Sequence, residues 1–197
     1  MSVAGGEIWW GLTSVALATV QYIPYVHGIL NGKFKPHIFT WLIWAIPGGV
    51  VAVAQAVKGA GAGAWASGYT ALLCMGVFLL SLSRGDKKIA AFDWVALFLA
   101  GLAIVLWMMV RDPLIAVILT STSCVLGWLP TIRKSFDSPD SEGLIAWSLA
   151  GAKWITSLLA VQTVSWTTAL FPATSAVMTL SFVILVVVRR TQLNRAI

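Results

Sequence analysis

The 197-residue chain is 59% hydrophobic and 10% charged, with a mean hydropathy of +0.89, which leaves too little polar surface to solvate an ordinary soluble domain. Its formal charge of +6 comes from basic residues in short loops beside apolar runs, not from one amphipathic face, so nucleic acid is not an expected partner. Composition predicts an all-α integral membrane protein surrounded by a lipid bilayer.

Charged or Gly/Pro-rich breaks divide the sequence into seven apolar runs, at 8–30, 38–57, 64–83, 91–110, 113–132, 143–163 and 166–188. Each is close to the ~20 residues a helix needs to cross a hydrocarbon core of ~30 Å. The first has no basic region before it and no small-residue cleavage pattern after it, so it reads as a retained span. It carries Pro24 near its end, with His27 and His37 towards the loop that follows. The second opens on Thr40 and Trp41 and carries Trp44, Pro47 and Gln55. GAGAGAW, residues 59–65, leads into the third, where Ser67, Tyr69 and Thr70 are the polar groups and Cys74 follows. The fourth run is uninterrupted. The fifth holds Cys124 and Pro130, the sixth Trp147, Lys153, Trp154, Thr156 and Ser157, and the seventh Thr174 and Ser175.

Lys and Arg fall unevenly between the two sides of these runs. The loops after the first, third and fifth runs and the tail carry ten of them: Lys33, Lys35, Arg84, Lys87, Lys88, Arg133, Lys134, Arg189, Arg190 and Arg195. The opposite side carries Lys58 and Arg111. By the positive-inside rule the N-terminus is outside and the C-terminus cytoplasmic, in a bacterial inner (plasma) membrane. Trp9, Trp10, Trp65, Trp107 and Trp166 then mark the outer boundary and Trp94 the inner one, as aromatic anchors.

A shift of 106 positions lays Pro24 on Pro130 and Trp41 on Trp147 without a gap and brings the flanking apolar runs into register. The expected organisation is therefore two parallel three-helix repeats, residues 1–88 and 112–197, joined by a linker helix within 89–111. Three helices reverse the side of the membrane, and one further crossing restores it. The unit itself has a proline near the end of its first helix, a basic loop, and a second helix opening on a polar residue and tryptophan. This resembles the PQ-loop superfamily of membrane transporters, and the 3+1+3 arrangement is similar to its SWEET branch. The resemblance implies a carrier working by alternating access, with Pro24 and Pro130 as hinges, and a substrate site that draws on the third helix of each unit. The corresponding stretches here, WASGYTALLCMG and FPATSAVMTLSF, offer Ser67, Tyr69 and Thr70, and Thr174 and Ser175.

Lys153 is the strongest single signal of a site. It lies near the centre of the sixth run, where an unpaired ammonium costs at least about 2.5 to 3.5 kcal/mol on insertion scales. All seven acidic residues lie at or near predicted helix ends. Three readings follow: the lysine faces a wet cavity and attracts an anionic substrate; it is held neutral and takes part in proton coupling; or it bonds carbonyls freed by helix kinks. In the 106-residue register it falls on Pro47, a further candidate hinge, so the two halves differ at that depth. Trp44, Trp154 and Ser157 lie close in sequence to this pair and are candidate substrate contacts, with helix packing as the alternative for both tryptophans.

Two histidines and two separated cysteines supply no metal-ligand spacing. No phosphate-binding loop, dinucleotide fingerprint or nucleophile elbow occurs, so neither a cofactor nor an enzyme activity is expected. The expectation is a transporter for a small polar or anionic metabolite (sugar, amino acid, carboxylate or vitamin), by facilitated diffusion or proton-linked exchange, with homo-oligomers compatible. The alternative is a ligand-binding or sorting receptor of the KDEL-receptor type. A retinal photoreceptor would want a carboxylate counter-ion at the lysine's depth, which no run provides.

Overall fold

The computed structural model describes residues 5–33, 36, 38–85, 91–110, 112–137, 139 and 144–194, and among these the regular structure is entirely helical. Seven α-helices follow in order: α1 (Gly6–Leu30), α2 (Ile38–Val57), α3 (Trp65–Arg84), α4 (Ala91–Val110), α5 (Pro113–Asp137), α6 (Leu144–Leu159) and α7 (Trp166–Asn194), with a 3-10 turn at Gly61–Ala64 before α3. Apolar runs became helices because in an apolar medium a helix satisfies its own backbone donors and acceptors.

Three boundaries differ from those expected. Helix α5 continues to Asp137 and α7 to Asn194, because the hydrogen-bond ladder runs on through residues that hydropathy alone would assign to loops. Helix α6 ends early, at Leu159. The Ala160 and Val161 amides still bond back to Thr156 and Leu158, but Gln162 N–H donates to the Ala60 carbonyl (3.1 Å) and Thr163 N–H to that of Gly59 (3.2 Å).

The helices pack as two triplets and a single helix. Helices α1 and α2 both lie against α3, and α5 and α6 both lie against α7. The triplets meet chiefly through two contacts that exchange under the 106-residue shift, α1 on α6 and α2 on α5, and more lightly through α2 on α7 and α3 on α6, while α4 rests on α5 and α2. Small residues allow the close approaches. A methyl group on Gly48 of α2 would stand 3.2 Å from the Ala71 side chain of α3, the packing device common between apolar helices.

Corresponding side chains also do corresponding things in the two triplets. Tyr22 and Trp41 pair edge to face at 5.9 Å, and Trp128 and Trp147, each 106 positions later, pair at 4.9 Å. At the helix ends Arg84 of α3 donates to the Leu30 carbonyl of α1. Arg189 of α7 donates to the Phe136 carbonyl of α5 at 3.1 Å, and Phe136 is again 106 positions beyond Leu30. In each case an arginine satisfies a carbonyl that the end of a helix leaves open.

Apolar side chains fill both the core and the outer surface, and several polar ones are buried. Large apolar side chains point outward, among them Leu72, Met109, Ile145 and Val164, each at least 72% exposed. Gln55, Thr120, Lys153 and Ser157 are buried. Gly61–Arg84 and Trp166–Leu193 are long and apolar enough to cross a membrane by length and composition, and the apolar exterior fits membrane association. Trp9, Trp10, Trp65, Trp94 and Trp166 are all exposed; the Trp107 side chain lies outside the described residues.

Candidate functional site

A cavity lies where the triplets meet, lined from α1, α2, α3, α5, α6 and α7. Water-molecule centres fit within about 90 Å³ of it, several times what a single water requires. On the first two helices of each triplet the lining obeys the 106-residue register: Tyr22 answers Trp128, Trp44 answers Ala150, Pro47 answers Lys153 and Gly48 answers Trp154. The third helices are out of step by one or two residues. Ser67, Thr70 and Cys74 of α3 face Phe171, Ser175 and Thr179 of α7, and these pairs are 104 or 105 apart. The shift arises in the connections that precede them, residues 58–64 and 160–165.

Lys153 is 2% exposed. Its Nζ donates to Thr70 Oγ1 at 3.1 Å and stands 4.2 Å from the centre of the Trp154 ring, a cation–π distance. Trp154 in turn meets Phe171 edge to face at 5.4 Å, so the ammonium is held from α3 by a hydroxyl and from its own helix by a ring. Because α6 stops at Leu159, Lys153 stands six residues, about 9 Å of helix rise, from that end. No carboxylate occurs among the described lining residues. Three buried polar atoms there, Ser67 Oγ, Ser175 Oγ and Gln21 Oε1, have no hydrogen-bond partner among the described residues. They are the groups a polar ligand or water would satisfy.

Where α2 and α6 end, the α2–α3 and α6–α7 connections are joined in a clasp that lies outside the cavity lining. Besides the two backbone bonds from Gln162 and Thr163, Ser157 Oγ donates to the Gly63 carbonyl at 3.0 Å and Gln55 Nε2 to the Thr168 carbonyl at 2.8 Å. Gly59 and Gly61 adopt φ of 75° and 57°, conformations that glycine adopts without strain. A methyl group on Gly61 would stand 2.2 Å from Gln162 Cδ, so the two loops are in intimate contact.

Of the residues singled out from sequence, Lys153, Trp154, Trp44, Ser67, Thr70, Ser175 and Pro47 line the cavity. Ser157 belongs to the clasp. Tyr69 is hydrogen-bonded to Thr19 at 3.0 Å, linking α3 to α1, and Thr174 lies on α7 next to the lining residue Ser175. Pro24 is exposed within α1. Pro130 falls within α5, but its side chain lies outside the described residues, as does His37. Sequence reasoning did not select Gln21, Tyr22, Cys74, Cys124, Trp128 or Phe171 as site residues. Helical spacing was the available signal: 67, 70 and 74, like 171, 175 and 179, fall on one helix face. No family model, curated protein or solved structure matches the chain.

Proposed function

We propose that the protein is a PQ-loop/SWEET-like membrane carrier. Two parallel repeats, α1–α3 and α5–α7, are joined by α4 in a 3+1+3 arrangement of seven spans, with the N-terminus outside and the C-terminus cytoplasmic. It moves a small polar or anionic metabolite by alternating access, as facilitated diffusion or proton-linked exchange. The observation that carries this reading is the cavity between two matched triplets with the Lys153 ammonium in its wall. Burying a cation there costs stability, and a cavity that receives an anion gives that cost a purpose.

In this reading the clasp holds the cavity shut at the end where α2 and α6 stop, and ligand is reached from the other. Exchange of access requires the triplets to tilt against each other at the α1–α6 and α2–α5 contacts. Pro24 and Pro130 suit a hinge, since proline removes one intrahelical hydrogen bond and weakens a helix locally.

The test is counterflow in proteoliposomes containing the purified chain, with labelled sugars, amino acids and carboxylates offered in turn. Uptake of at least one class, lost in Lys153→Met, supports the reading. Saturable binding with no appearance of label inside the vesicles would favour the receptor alternative.

A further inference from the structure

We infer that the ligand of this cavity is a small monocarboxylate bearing a hydroxyl group, and not a zwitterion, a neutral sugar or a dicarboxylate. This rests on the cavity being the substrate site proposed above, and it narrows the ligand by charge and by hydrogen-bond type.

Charge comes first. Lys153 is the one charged side chain among the described lining residues, and it is 2% exposed. A single negative charge neutralises it. A neutral sugar leaves the ammonium uncompensated, and a dicarboxylate brings a second anion with no cation to meet it, which is costly away from water. A zwitterion brings an ammonium next to an ammonium, with no carboxylate in the lining to hold it. The Trp154 face is already occupied by Lys153 at 4.2 Å.

Hydrogen-bond type comes second. Nζ has three N–H donors, one of which goes to Thr70 Oγ1. The lysine therefore retains donor capacity for a carboxylate oxygen, and Ser67 on the same face of α3 can donate to the other. Gln21 Oε1 is different: it only accepts, and it is buried without a partner among the described residues. Only a ligand with a donor satisfies it, and a hydroxyl does so without adding charge. Tyr22, Trp44, Trp128 and Trp147 supply apolar faces for the carbon skeleton, in the usual combination of an apolar wall with a few directed polar groups.

The purified full-length chain in detergent would be titrated at constant ionic strength with L-lactate, D-gluconate, propionate, L-serine, D-glucose and L-malate, reading the unfolding temperature and then affinity by calorimetry. Lactate or gluconate is expected to raise the unfolding temperature by mass action, ahead of propionate, with serine, glucose and malate inert. Lys153→Met should weaken lactate about 10- to 100-fold, the usual loss for a charge-assisted hydrogen bond.

If Lys153→Met does not fold, Gln21→Leu serves instead: it should bring lactate down to the affinity of propionate and leave propionate unchanged. Equal or better stabilisation by serine, glucose or malate overturns the inference. So does inertness of both hydroxy acids, or a lactate preference that survives Gln21→Leu. Binding and flux separate the two claims: lactate bound through Lys153 without counterflow refutes transport alone, whereas Lys153-independent counterflow of glucose refutes the hydroxy-acid assignment alone.

Discussion

Lys153 Nζ lies 3.1 Å from Thr70 Oγ1, and this bond joins α6 of one triplet to α3 of the other across the cavity. A charged donor and its acceptor thus sit on two bodies that the proposed mechanism requires to move apart. Thr70→Val keeps the shape and removes the acceptor. We expect it to lower stability by about 1 to 3 kcal/mol, the range for leaving a buried polar group unsatisfied, measured by unfolding in detergent. In a double-mutant cycle the cost of Thr70→Val should shrink when Lys153 is already Met, since the bond it removes is then gone. Full additivity would mean that the bond does not tie the triplets.

The clasp gives a second prediction. Gly61→Ala forces a side chain into a left-handed backbone and into Gln162, at a strain of about 1 to 3 kcal/mol. The clasp should loosen, and a membrane-impermeant thiol reagent applied from that side should modify Cys74 and Cys124, both lining the cavity, faster than in the parent. Unchanged labelling rates would show that the seal lies elsewhere.

Pro24 is exposed within α1, outside the cavity lining, so a substitution there does not touch ligand. Pro24→Ala restores a backbone donor and stiffens the helix. The hinge reading expects counterflow to slow several-fold while equilibrium affinity holds. A static kink would leave the rate as it was.

Orientation is testable in whole cells. In a background lacking Cys74 and Cys124, Lys58→Cys should react with an impermeant reagent from outside, and Gln192→Cys only after permeabilisation. Both positions are exposed. The reverse pattern would contradict the positive-inside assignment.

The seven helices were visible in the sequence because hydropathy and loop charge report directly on where a chain can be buried in lipid. Lys153 and Pro47 were visible for a related reason: a cation or a proline inside an apolar run breaks a pattern. What stayed hidden depended on hydrogen bonds between distant segments. Nothing local in 162–163 says that its two amides will pair with the Ala60 and Gly59 carbonyls beyond the end of α6. Nor does the 106-residue register reveal that the third helices are displaced by a residue or two, or that the face carrying Thr70 and Ser175, and not that of Tyr69 and Thr174, meets the cavity. Tyr22 and Trp128 were legible only as core aromatics until their pairing across the two halves placed them in one wall.

None of the described side chains of α4 lines the cavity, so within the proposed arrangement its contribution is to make two triplets one molecule. The consequence concerns what such a molecule is allowed to be. Two separate copies of one triplet would be bound by their symmetry, and a lysine at this position would appear twice, setting two ammoniums across one small space where each suppresses the charge of the other. Joined in a single chain, one triplet keeps Pro47 while the other carries Lys153. The tether thereby permits a single charge, and with it a polar direction within a chamber built from two matched triplets.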